Sequence, residues 1–96
     1  MNELELERLG GVLDTLRKNY KRTKFIYAYL KGDYLTLMAE NCAWHRYPWI
    51  AKRILDNYHD VRVVHFTGGW TEGVYTRETL KWAGYKMKEH KENKVC

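Results

Sequence analysis

The sequence predicts an α+β domain: a small mixed or antiparallel sheet of three to four strands with three helices, in the order α-β-β-α-β-α, a further strand closing the chain in one reading. Three observations predict it. Lys24 to Glu40 alternates in polarity, turns at Gly32-Asp33 and alternates back. The segments on either side of it repeat apolar residues at three- and four-residue steps. Val61 to Phe66 is short, β-branched and nearly all apolar. Ninety-six residues suffice for one modest core, so residues 1–90 are read as a single domain and 91–96 as a charged, flexible tail.

The first helix begins at Asn2, with Glu5 three residues on as in a capping box. Leu6, Leu9, Leu13, Leu16 and Tyr20 mark its inner face. Glu3, Glu5 and Glu7 lie at its start and Arg17, Lys18, Lys21 and Arg22 at its end, a gradient that complements the helix dipole. Gly10-Gly11 in the middle costs about 1 kcal/mol per glycine relative to alanine, so another element approaches there or the helix bends.

Gly-Asp between alternating segments signals a type II′ hairpin. The register then sets Lys31 opposite Tyr34, Leu30 opposite Leu35, Ala28 opposite Leu37 and Ile26 opposite Ala39. That aliphatic face is core. Phe25, Tyr27, Tyr29, Tyr34, Thr36 and Met38 fall on the other face, either beneath a helix or as an open aromatic platform.

Pro48 suits the first position of a second helix. Tyr47, Ala51, Ile54 and Tyr58 mark its inner side, flanked by Ile50 and Leu55; Trp49, Lys52, Arg53 and Asp56 mark its outer side. The continuous run Val61–Phe66 suits a strand buried on both faces. Beyond it two readings exist. In one, Thr71 to Ala83 is a helix ending at Gly84, and Tyr85 to His90 returns as a strand. In the other, Glu72 to Tyr75 completes a second hairpin and a helix starts at Thr76. WAGYKMKEH favours the first, which is the reading adopted.

A net charge of +5 favours acidic partners, nucleic acid first among them. Lys24, Phe25, Tyr27, Tyr29, Arg46, Trp49, Lys52 and Arg53 form the candidate surface, because basic residues beside rings suit phosphate contact with base stacking. The same residue types suit a protein interface, so a nucleic-acid-handling protein or a second copy of the chain is an alternative partner. Such an inhibitor or regulator would dock by Trp49, Trp70 and Trp82. A third reading places an anion or nucleotide at the glycine turn, held by Thr67, Gly68, Gly69, Trp70 and Thr71 with Arg77 as counter-charge.

No P-loop or dinucleotide motif stands at that turn, and no cofactor is expected. Cys42 and His45 have a ligand spacing, but no second tight pair completes a metal site. No motif assigns catalytic residues; His65 beside Asp60 or Glu72 is the one pairing noted. No apolar run is long enough for a membrane span, and the acidic start is unlike a signal peptide. Two cysteines make no disulfide framework, so a reducing, cytoplasmic setting is expected. Small, basic, aromatic-rich chains are frequent among phage and mobile-element accessory proteins, which is an association only.

Overall fold

The computed structural model describes residues 1–42, 44–68 and 72–82. Its elements are α1 (Glu3–Asn19), β1 (Lys24–Lys31), β2 (Tyr34–Glu40), a 3-10 turn (Trp44–Arg46), α2 (Tyr47–Asn57), β3 (Val63–Phe66), β4 (Gly73–Thr76) and α3 (Arg77–Trp82). The strands form one mixed sheet in the spatial order β1-β2-β3-β4. β1 and β2 are antiparallel, β2 and β3 parallel, β3 and β4 antiparallel. The class is the α+β arrangement of three helices and a four-stranded mixed sheet that the sequence predicts.

α1 starts with the expected capping box: Asn2 Oδ1 accepts from the Glu5 amide, and Glu5 Oε1 accepts from the Asn2 amide, both at 2.8 Å. Glu5 does a second job. Its other carboxylate oxygen accepts from the Gly32 amide at 2.5 Å, tying the helix start to the hairpin turn. That amide above all, and the Asn2 amide next, hold the Glu5 carboxyl below its ordinary range. Leu9, Val12, Leu16 and Tyr20 are the buried line of α1. Leu6, expected inside, is 52% exposed, and Leu13 is half-buried. The close approach predicted at the glycine pair occurs at Gly11 alone, where an added Cβ would meet the Tyr58 hydroxyl at 3.6 Å. That hydroxyl also lies 2.9 Å from Thr15 Oγ1.

The hairpin has the predicted register from its turn to Ala28↔Leu37, and Gly32 takes φ +61° as a II′ turn requires. Beyond that it departs. A bulge at Ile26 shifts the pairing, so Phe25 and not Ile26 stands opposite Ala39. The one-residue insertion reverses the parity: Phe25 packs against the core, and Ile26 is 50% exposed.

β3 reaches its place beside β2 through α2, the crossover that a parallel pair needs. Its burial alternates: Val64 and Phe66 are sealed, Val63 and His65 are not. The two-sided burial expected of Val61–Phe66 therefore does not occur. The apolar run misled because Val61, fully buried, belongs to the approach and not to the strand.

After β3 the hairpin-then-helix alternative holds, and the helix expected from Thr71 is corrected. Gly73–Thr76 pairs antiparallel with β3. Thr76 then opens α3, its hydroxyl accepting from the Thr79 amide at 3.3 Å. Arg77 closes the end of α2 by donating from Nη2 to the Leu55 and Tyr58 carbonyls at 2.6 and 3.1 Å. The strand expected over 85–90 and the tail over 91–96 lie outside the described residues.

α1 and α2 both pack on one face of the sheet, around a single core cluster. One row of that face is Leu30, Leu35, Val64 and Tyr75; the next is Ala28, Leu37, Phe66 and Gly73. Tyr47 of α2 stacks flat on Phe66 at 4.2 Å between centroids. Burial pushes the Tyr75 phenol upward from its ordinary value.

The Glu5 contacts have a pH signature. A carboxyl depressed in the folded state stabilises fully above the ordinary glutamate value, and that stability is lost as pH falls through the lower folded value. Glu5→Gln should melt below the wild type at neutral pH and converge on it in acid. Melting temperatures recorded across the acid range check this; acid limbs that run parallel would show no such linkage.

Candidate functional site

The side chains between the two core rows point the other way. They form their own rows across the sheet: Tyr29, Thr36, His65 and Val74, then Lys31, Tyr34, Val63 and Thr76. Tyr27 lies beside Met38 at the next level. Among the described residues no element packs on this face. Tyr27 is 47% exposed, Tyr29 37%, Tyr34 40% and Val74 53%. The aromatic platform is thus open, formed by Tyr27, Tyr29 and Tyr34 without Phe25.

Along β1, Tyr27 and Tyr29 are two residues apart, about 7 Å by strand rise. Exposed lysines stand at both ends of the strand, Lys24 and Lys31. A run of cation, ring, ring, cation on a pleated surface offers stacking planes bracketed by phosphate contacts.

Beside the rings is a polar cluster that the parallel pairing of β2 and β3 assembles. Tyr34 Oη lies 3.2 Å from His65 Nδ1, with the two rings edge-to-face at 5.9 Å. Glu72 lies 3.9 Å from His65 Nε2, and the Thr67 hydroxyl donates to Glu72 at 3.4 Å. In the tautomer that carries its proton on Nε2, Nδ1 is the acceptor for the phenol. The cluster sets a phenol, an imidazole, a carboxylate and a hydroxyl side by side. Sequence spacing paired His65 with Glu72 as one option; Tyr34 was not on that list, because its approach depends on a register that only the crossover through α2 sets.

The remaining candidates are elsewhere. Arg46 is 8% exposed, with Nη1 buried and unpartnered, so it is removed from the exposed surface set. Trp49 is half-buried against the core. Lys52 pairs with Asp56 at 2.5 Å. Arg53 donates to the Tyr20 hydroxyl at 3.1 Å and lies over its ring at 5.5 Å. Trp49, Lys52 and Arg53 belong to α2, across the core from the open rings.

The glycine turn is also altered. Thr67 and Gly68 follow β3, whereas Arg77 follows β4 at the far end of the same pair of strands. Arg77 is committed to the α2 carbonyls and cannot serve as counter-charge there. Gly69, Trp70 and Thr71 lie outside the described residues. The acidic Glu72 on Thr67 disfavours an anion at this turn. Gly68 has a packing reason instead: φ is +84°, and an added Cβ would lie 2.5 Å from the Met38 methyl. Among the described residues no group of His, Cys, Asp and Glu could hold a metal ion, and no helix is long and apolar enough to cross a membrane.

Gly68→Ala should destabilise the protein by about 1–2 kcal/mol, from the strained backbone and the contact with Met38. Adding Met38→Ala should relieve the contact without relieving the backbone, so the paired variant should recover less than the whole loss relative to Met38→Ala alone. Denaturant titrations of the four proteins measure both parts.

No family model matches the chain, and no curated protein or solved structure matches it.

Proposed function

We propose that the protein binds single-stranded nucleic acid on the open face of its sheet. The observation supporting this is the set of exposed rings, Tyr27, Tyr29 and Tyr34, on a sheet face free of described elements in a chain of net charge +5. Two bases stack on Tyr27 and Tyr29. Their spacing of about 7 Å is twice the rise between stacked bases in a duplex, so the occupant is a strand whose bases are splayed apart. Lys24 and Lys31 contact phosphates on either side. Tyr34 and His65 meet base edges or sugar hydroxyls. Cysteine usage is compatible with a reducing, cytoplasmic setting for this activity.

A protein partner on the same face is the second reading. Ile26 and Val74, each about half exposed, extend the rings into an apolar patch that a regulator's target would cover. Arg46 is buried and Trp49 half-buried on the core, and the anchors Trp70 and Trp82 have no described side chain, so among the described residues this reading rests on the tyrosines with Ile26 and Val74.

Titration of labelled single-stranded oligonucleotides separates the two. Micromolar or tighter binding is expected, weakening steeply with salt. Tyr27→Ala and Tyr29→Ala should each cost about 1–3 kcal/mol. Lys24→Ala and Lys31→Ala should each flatten the slope against salt by roughly 0.7. Lys52→Ala, across the core, should change neither. No binding at low salt, or binding indifferent to both tyrosines, would overturn the proposal.

A further inference from the structure

We infer that one flank of α1 pairs with the same flank of a second copy, antiparallel, with the helices crossing at Gly10. This is a different surface from the open sheet face. Glu3, Leu6, Gly10, Leu13 and Arg17 recur at alternating three- and four-residue steps, the spacing of a helix-pairing seam. The stripe is a palindrome about Gly10: leucine on each side, and charges of opposite sign at the two ends. A two-fold axis at Gly10 therefore brings Leu6 toward the second copy's Leu13, and Glu3 toward the second copy's Arg17. Both pairs occur twice, as an isologous contact demands. A parallel pairing would oppose like charges at each end.

The monomer leaves this stripe unexplained. Leu6 is 52% exposed, and Leu13 is only partly covered by the core. Gly10 is exposed, and a Cβ built on it meets no atom within 4 Å. A glycine in the middle of a helix loses helical stability, and within the chain nothing approaches Gly10 to require it. Gly11, by contrast, has Tyr58 against it. A second helix axis crossing at Gly10 supplies the missing reason, since the absent side chain lets two backbones come close. The helix dipole alone accounts for an acidic start and a basic end. It does not account for an exposed Leu6 and a half-buried Leu13 on either side of a bare glycine. Glu3 and Arg17 have no ion-pair partner among the described residues, so both are available to the second copy.

One helix from each copy makes a small interface, so the dimer is weak and is sought by sedimentation equilibrium from about 10 µM to about 1 mM. Wild type should move from one chain mass toward two across this range. Gly10→Leu, which improves helix propensity and so keeps the fold, should weaken dimerisation at least tenfold. Glu3→Arg should weaken it about fivefold through its two symmetry-related contacts, and Glu3→Arg with Arg17→Glu should restore it. Circular dichroism confirms that each variant remains helical. A wild type that stays monomeric, a dimer indifferent to Gly10→Leu, or a double charge exchange that fails to restore it would each overturn the inference. So would a dimer lost in Tyr27→Ala and Tyr29→Ala but kept in Gly10→Leu, which would locate the contact on the sheet face instead.

Discussion

The row Leu30, Leu35, Val64 and Tyr75 is the constraint on which the rest depends, because it gives all four strands one common apolar side. Two amphipathic helices need that side, and both take it. Each residue of the row fixes the direction of its neighbours, since strand side chains alternate. Burying Leu30 and Ala28 turns Tyr29 and Tyr27 outward. Burying Val64 and Phe66 turns His65 outward, level with Thr36. The open face is thus a consequence of core packing. Among the described residues, the two long helices cover one side of the sheet.

Much of this was legible from alternation. The hairpin register near its turn follows from Gly32-Asp33, and the exposure of Tyr27 and Tyr29 follows from the burial of Leu30 and Leu35. Phe25 and Ile26 were not legible, because a bulge exchanges inward for outward without leaving a mark in composition. Either parity sets a large apolar side chain inside. The choice between them depends on the volume left under α1, a tertiary quantity. Residues beyond β3 show a related limit. Thr76 and Thr79 carry a usable cap signal, yet the run WAGYKMKEH, which suits a helix end at Gly84 and a returning strand, outweighed it, while the deciding interaction is the pairing of Gly73–Thr76 with β3. Arg46 illustrates a third limit: composition counts a guanidinium as surface, whereas its position between a 3-10 turn and α2 buries it.

Polar contacts in the fold do several tasks at once. Glu5 caps α1 and holds the hairpin turn. Arg77 begins α3 and closes α2. Tyr58 fills the gap at Gly11, meets Thr15, and has Arg8 over its ring at 5.7 Å. In a small core, where apolar burial leaves little margin, such bridging side chains order two elements for one loss of side-chain entropy. They also use up charges that composition alone assigns to a partner. Asp33 with Arg62, Asp60 with Arg8 and Asp56 with Lys52 are matched internally. Among the described residues Lys24 and Lys31, which flank the rings, form no ion pair, although the Lys31 charge helps to hold the Glu5 carboxyl low.

The two surfaces proposed for contact share no residue, and that separation has a mechanical meaning. α1 packs on the sheet side that holds the core, and the stripe through Leu6, Gly10 and Leu13 runs along the flank of its buried line Leu9, Val12 and Leu16, apart from the tyrosines. A dimer paired through α1 would carry two identical copies of the proposed strand-binding face. A single strand long enough to pass from one face to the other would gain from effective concentration as well as from contacts. A short one would gain nothing. A weak helix pair would then be an advantage: the second face would be recruited when both copies meet on one strand, and each copy would bind alone when strands are short.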